Sequence, residues 1–258
     1  DFSICVNEKG SVFSFGSNSF GQLGTPGVRK QVLPTQIPLI AHIKKVACGD
    51  TFSLCLDNEG NVWSFGNNTF GELGHGDTEC RGNPTRIPNL SNIKQVTCGS
   101  CHSGCLDTVG TVWVFGYGEQ GQLGLGDNES KSQPTVLDSL ETVTEIMFGG
   151  FHSFFVDANE NMLVCGNNNF GQLGIGSTAN QAVPVPLSLP TANLHPLTLG
   201  THHSICSDRK TGSYWSFGRG NTAQIGFLAR SELVPVEFSP EFSKLLGKET
   251  IRMKSARK

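Results

Sequence analysis

Charge is scarce in this chain. Asp, Glu, Lys and Arg make up 16% of its 258 residues, where about 25% is usual for soluble domains. The 19 cationic and 22 anionic side chains leave a formal charge of −3, which argues against a protein whose main task is neutralising phosphates. Long apolar runs are missing too, none approaching the ~20 residues that cross a bilayer. No segment carries a sustained 3.6-residue period; Glu241-Phe-Ser-Lys-Leu-Leu246 is compatible with a single helical turn at most. The chain starts at Asp1 with neither an initiator Met nor a signal-peptide pattern, and so reads as a piece cut from something longer. Disorder is excluded by a 37% hydrophobic content that includes 17 Phe.

Glycine is abundant, with 32 residues against a usual share near 7%, and its placement is periodic. A strand ending in glycine recurs as Val12-Phe-Ser-Phe-Gly16, Val62-Trp-Ser-Phe-Gly66, Val112-Trp-Val-Phe-Gly116, Met162-Leu-Val-Cys-Gly166 and Tyr214-Trp-Ser-Phe-Gly218. The terminal glycines are 50, 50, 50 and 52 residues apart. Each strand is followed by Gly21-Gln-Leu-Gly24, Gly71-Glu-Leu-Gly74, Gly121-Gln-Leu-Gly124, Gly171-Gln-Leu-Gly174 or the degenerate Ala223-Gln-Ile-Gly226. A third block, Cys48-Gly49, Cys98-Gly99, Phe148-Gly149 and Leu199-Gly200, precedes them. This is an internal repeat of about 50 residues in five copies.

Within a copy, Ile93-Lys-Gln-Val-Thr-Cys98 alternates as a half-buried strand does. Gly99-Ser-Cys-His102 turns the chain, Ser103-Gly-Cys-Leu106 and Val112-Trp-Val-Phe115 form further strands, and Pro134-Thr-Val-Leu137 suits an outer edge where a missing N–H is harmless. Four strands per unit, repeated radially, predict an all-β fold: a single β-propeller of four-stranded blades over residues 1–258. The Leu of each Gly-x-Leu-Gly loop is expected to plug the seam between blades. Phe2-Ser-Ile-Cys5 matches Phe52-Ser-Leu-Cys55, and Ile251-Arg-Met-Lys-Ser-Ala-Arg-Lys258 aligns with the stretch from Ile43 to Asp50. The phase predicts a closed five-bladed ring whose seam blade takes its inner strand from residues 251–256 and the others from the N-terminus. The alternative is an arc of a larger ring that stops in phase.

The succession strand-Phe-Gly, Asn-x-x-Gly-Gln-Leu-Gly-x-Gly-Asp, then Cys-Gly-x-x-His-Ser resembles the regulator of chromosome condensation repeat. Gly116-Tyr-Gly-Glu-Gln-Gly-Gln-Leu-Gly-Leu-Gly-Asp127 carries the likeness most fully. The resemblance implies a propeller, ordinarily of seven blades. Its founding member is an exchange factor for the small GTPase Ran that also binds chromatin; other members are scaffolds, ubiquitin-ligase modules, a photoreceptor and inhibitors. In the exchange factor, acidic and His residues of the Gly-x-x-His turns face the GTPase. The matching positions are Asp50, His102, His152 and His203, with His202 adjacent. Phe2 and Phe52 replace His in the first two copies, and no large insertion stands where the exchange factor has its wedge. An alternative role for each His is a local hydrogen bond to the Ser that follows it. The residues placed by something other than phase are Asp50, Cys101, Phe151 and His202, all on one turn type.

Several apparent motifs dissolve into the repeat. Cys98-Gly-Ser-Cys101-His102 spells a haem-attachment sequence, yet Cys98 and His102 recur in phase. Cys5, Cys55, Cys105 and Cys206 share a phase, as small core residues rather than metal ligands. Gly116-Tyr-Gly-Glu-Gln-Gly121 fits a dinucleotide fingerprint, but Asn18, Asn68 and Asn168 occupy its middle position and no helix pattern follows. No cofactor or metal is expected. Nine cysteines, placed by phase, suit a reducing intracellular setting, cytoplasm or nucleus. Lys244, Lys248, Arg252, Lys254, Arg257 and Lys258 make a basic end, either a solvated terminus or a contact for phosphate, as chromatin would offer.

No catalytic set survives this subtraction. The expected function is a monomeric protein-binding propeller that engages a small GTPase as an exchange or regulatory module. The alternative is an interaction scaffold without exchange activity.

Overall fold

The computed structural model describes residues 1–187, 194–208, 210–226 and 231–238. Among these the chain is all β, with nineteen strands in five antiparallel sheets. The first sheet has three described strands, β1 (Phe2–Val6), β2 (Val12–Ser17) and β3 (Lys30–Gln36). The second comprises β4 (Ile43–Cys48), β5 (Phe52–Asp57), β6 (Val62–Gly66) and β7 (Arg81–Arg86). The third runs β8 (Ile93–Cys98), β9 (His102–Asp107), β10 (Val112–Gly116), β11 (Lys131–Val136), and the fourth β12 (Val143–Phe148), β13 (His152–Asp157), β14 (Met162–Gly166), β15 (Gln181–Pro186). The fifth is β16 (Leu194–Leu199), β17 (His203–Asp208), β18 (Tyr214–Arg219) and β19 (Ser231–Glu237). Strand order within every sheet follows chain order, the mark of a blade built from consecutive hairpins.

The sheets pack in succession through their inner strands, β4 on β8, β8 on β12 and β12 on β16, with β1 against β4. The strand expected from residues 251–256, the turn at 241–246 and the whole basic end lie outside the described residues, and with them the seam expected to close the ring. The outer strands are longer than their Pro-containing core predicted. β11 starts at Lys131, because Gly116 pairs with Lys131 across a bulge and Pro134 sits on the edge, where its missing donor breaks no ladder bond.

The apolar core lies in the seams. Leu73, fully buried, packs with Phe115 and Cys105 of the next blade; Leu123 does so with Phe155 and Cys165, and Leu173 with Phe217 and Cys206. Each such side chain contributes roughly 1.5–3 kcal/mol by its burial. The loop that carries the plug needs glycine at its first position. Gly71 has φ +82°, and a Cβ there would run into the Ser132 backbone on the next blade's outer strand. Cys55, Cys105 and Cys206 are buried as expected, whereas Cys5 is exposed, because β1 is the edge strand of its described sheet.

Candidate functional site

Strand direction decides which residues share a face. The inner strand of each blade runs toward the Gly-x-x-His turn, and the third strand ends beside it: Phe52 pairs with Gly66, His102 with Gly116, His152 with Gly166 and His203 with Gly218. One end of the molecule therefore presents the turns 49–51, 99–101, 149–151 and 200–202 together with the loops that carry the Leu plugs. Backbone hydrogen bonds link these turns from blade to blade: Asp50 N–H to Ser100 O at 3.1 Å, Ser100 N–H to Gly150 O at 3.0 Å and Gly150 N–H to Gly200 O at 3.0 Å.

The expected site residues divide by exposure. Asp50 is exposed, and His202 and His203 are half-buried. His102 and His152 have no exposed surface, so a partner docking on the folded face does not touch them. Their hydrogen bonds are not local, either. His102 Nε2 lies 3.0 Å from Ser153 Oγ and His152 Nε2 lies 3.0 Å from Ser204 Oγ, each in the following blade rather than on the adjacent Ser. Ser153 gives its one hydroxyl proton to Gln122 O at 2.7 Å, and Ser204 gives its own to Gln172 O at 2.7 Å. The serine oxygens must therefore accept, so both imidazoles carry their proton on Nε2. Their Nδ1 atoms are buried without a partner. Burial holds both rings neutral, with the pKa pushed down to about 3. The rings press against Gly99 and Gly149, where any Cβ would overlap them. Phe52 occupies the same seat on Gly49, which shows that ring shape is the first requirement and the hydrogen bond the second.

Two residues of this face were hidden in the periodic pattern. Glu72 stands where the other copies have Gln22, Gln122, Gln172 and Gln224. Its carboxylate accepts from Phe70 N–H at 2.7 Å and Asn67 Nδ2 at 2.9 Å, and burial raises its pKa. Tyr117 stands where Asn67 and Asn167 stand in the neighbouring blades. Cys101, between them and Asp50, has its thiol pushed up to about 12, first by burial and then by Glu72 and Asp50. Departure from the repeat is the signal that finds these residues. Among the described residues no group of three or more His, Cys, Asp or Glu is placed to hold a metal ion.

A model of the regulator of chromosome condensation (RCC1) repeat matches residues 9–56, 59–106, 109–156 and 160–207. The mouse (Mus musculus) secretion-regulating guanine nucleotide exchange factor is 53% identical over 49 residues, 19% of this chain and 10% of that protein. Zebrafish (Danio rerio) serine/threonine-protein kinase Nek8 is 46% identical over 50 residues, 19% of this chain and 7% of the kinase. Human WBSCR16 superposes with a TM-score of 0.80 at 25% identity, over 93% of this chain and 65% of that one. Prp20p of Saccharomyces cerevisiae, described with its binding to Gsp1p and histones, gives 0.77 at 25% identity, over 93% and 63%. The chain thus spans less than two thirds of these structures and about a tenth or less of the curated relatives. With four repeats matched over most of its length, this chain belongs to the regulator of chromosome condensation (RCC1) repeat family.

Proposed function

We propose that this propeller binds a small GTPase through its Gly-x-x-His face and acts there as a guanine-nucleotide exchange or regulatory module. The observation that carries the reading is the exposure of Asp50 with the half-buried His202 and His203 on one face, at the positions the resemblance implies. His102 and His152 hold the turns from behind. Similarity to a guanine nucleotide exchange factor and to Prp20p supports it. Such a surface exchanges nucleotide by binding the empty GTPase better than the loaded one, a difference in affinity between two states of the partner. The nine cysteines, placed by repeat phase, suit an intracellular, reducing setting.

Likeness to a protein kinase over one repeat favours a second reading, an interaction scaffold without exchange, since the repeat also occurs where the named activity is a different one. Release of a fluorescent guanine nucleotide from a panel of purified GTPases separates the two. Acceleration of one member supports exchange; binding to some GTPase with no change in release supports the regulatory form; no binding across the panel leaves the scaffold.

A further inference from the structure

The five copies of the repeat act as controls for one another, and two adjacent departures from them each cost stability. The first is Glu72 for Gln. Gln22, Gln122 and Gln172 accept the same backbone N–H through a neutral amide, so the carboxylate at 72 adds a buried charge to a task an amide performs. The second is Tyr117 for Asn. In the fourth blade Gln172 Nε2 donates to Asn167 Oδ1 at 2.6 Å. With Tyr117 in the matching position, the Gln122 Nε2 donor is buried and unpartnered, so its desolvation goes uncompensated. Both departures meet at one seam, for Glu72 packs beneath Gly116, the residue before Tyr117.

What these departures build is an aromatic ladder across three blades. Phe70 and Tyr117 have ring centroids 4.8 Å apart, and Tyr117 and Phe151 lie edge to face at 6.0 Å. All three rings are partly exposed. The loops 67–81 and 117–131, together with Asp50, hold seven carboxylates against two cations, Arg81 and Lys131. Both cations are already engaged, Arg81 by Asp77 at 2.8 Å and Lys131 by Asp127 at 3.0 Å and Glu129 at 2.9 Å. The fifth blade shows what such a seat accepts. There Arg219, in the position of Tyr117, sits 5.0 Å from the ring of Phe170, in the position of Phe70.

We infer that the Phe70–Tyr117–Phe151 ladder, with the exposed Asp50 and Glu119 at its edges, is a docking surface for an Arg- or Lys-bearing segment of a partner protein. This deepens the proposed function by giving the chemistry of the partner on that same face, and it rests on that reading for the partner's class. Glu72, fully buried, is a positioning residue: it fixes Phe70 N–H and Asn67 and adds negative potential below the rings. The carboxylates that draw a basic segment repel a nucleic-acid backbone, so the surface suits a protein.

Only two tyrosines occur in the chain, and Tyr214 lies at the opposite end of its blade, which makes 3-fluorotyrosine a two-signal reporter. The whole chain so labelled is titrated with the capped peptides acetyl-Gly-Arg-Gly-Arg-Gly-amide and acetyl-Gly-Glu-Gly-Glu-Gly-amide, and the fluorine resonances are followed. The Tyr117 signal should move saturably with the Arg peptide alone, while Tyr214 stays still. Glu72→Gln with Asp50→Asn should weaken the response about fivefold, and added salt should weaken it further. A motionless Tyr117 signal, an equal response to both peptides, or a response unchanged in the double variant overturns the inference. No GTPase enters this test, so its failure and a failure of the exchange assay are distinguishable. Circular dichroism of the double variant checks that it is folded, and Glu72→Gln alone, which restores the residue of the other copies, gives a second charge-removing variant.

Discussion

His102 of the third blade donates its Nε2 proton to Ser153 of the fourth across 3.0 Å, and the same bond joins His152 to Ser204 one seam later. Two histidines of the Gly-x-x-His turns thus serve as clamps between blades, and the surface of those turns is left to their neighbours Asp50, His202 and His203.

The clamp makes stability depend on pH in a direction fixed by burial. Both rings stay neutral down to about pH 3 when folded, whereas in the unfolded chain they take up protons below about 6.5. Their contribution is complete above pH 6.5 and is lost as the pH falls toward 3, about 2 kcal/mol per histidine by pH 5. Since Phe52 already fills the equivalent seat, His102→Phe with His152→Phe should fold and flatten this dependence. Urea midpoints at pH 7 and pH 5 measure it; an equal drop in the double variant and the parent would contradict the assignment.

Glu72 has the opposite sign. Its folded pKa is raised by burial, so below the unfolded value near 4.3 both states are protonated and the charge costs nothing. As the pH rises through that value the penalty builds, and it is complete above the folded pKa. Glu72→Gln should therefore raise Tm more at pH 7 than at pH 4, by about 2–4 °C for each kcal/mol relieved. A gap that is the same at both pH values would refute this.

Thiol labelling reads the same patch chemically. Cys5 and Cys80 are exposed and should react first with an aromatic disulfide reagent at pH 8. Cys101 should lag behind them, because burial, Glu72 and Asp50 all disfavour its thiolate. Asp50→Asn should speed Cys101 while leaving Cys80 unchanged, as peptide mapping by mass spectrometry will show. Labelling of Cys101 as fast as Cys80 in the parent would remove the negative potential from the account.

The blades were legible because glycine is demanded by geometry. Gly71 recurs because the next blade's backbone leaves no room for a Cβ, and Leu73 recurs because it fills the seam behind it. The face followed from strand direction. The sequence points to the adjacent Ser as the local partner of each His, yet Ser153 is 51 residues from His102, a separation that only the stacking of blades closes. Glu72 and Tyr117 were passed over for a related reason. Inside a strong repeat a changed residue reads as tolerance, and its cost shows only once the side chain is known to be buried or to orphan a neighbour, as Gln122 Nε2 is orphaned. The haem-like Cys98–His102 spelling failed in the reverse sense, for His102 is committed to Ser153 and Cys98 packs against the second seam.

The proposed GTPase contact is tested most directly by substitutions on the two ends of the blades. Nucleotide release from the responsive member of the GTPase panel should slow at least severalfold when Asp50→Ala or His203→Ala replaces the parent chain. It should stay unchanged with Val109→Asp, on an exposed turn of the opposite face. Full activity of both turn variants, or a loss confined to Val109→Asp, would contradict the assignment of the Gly-x-x-His face as the site.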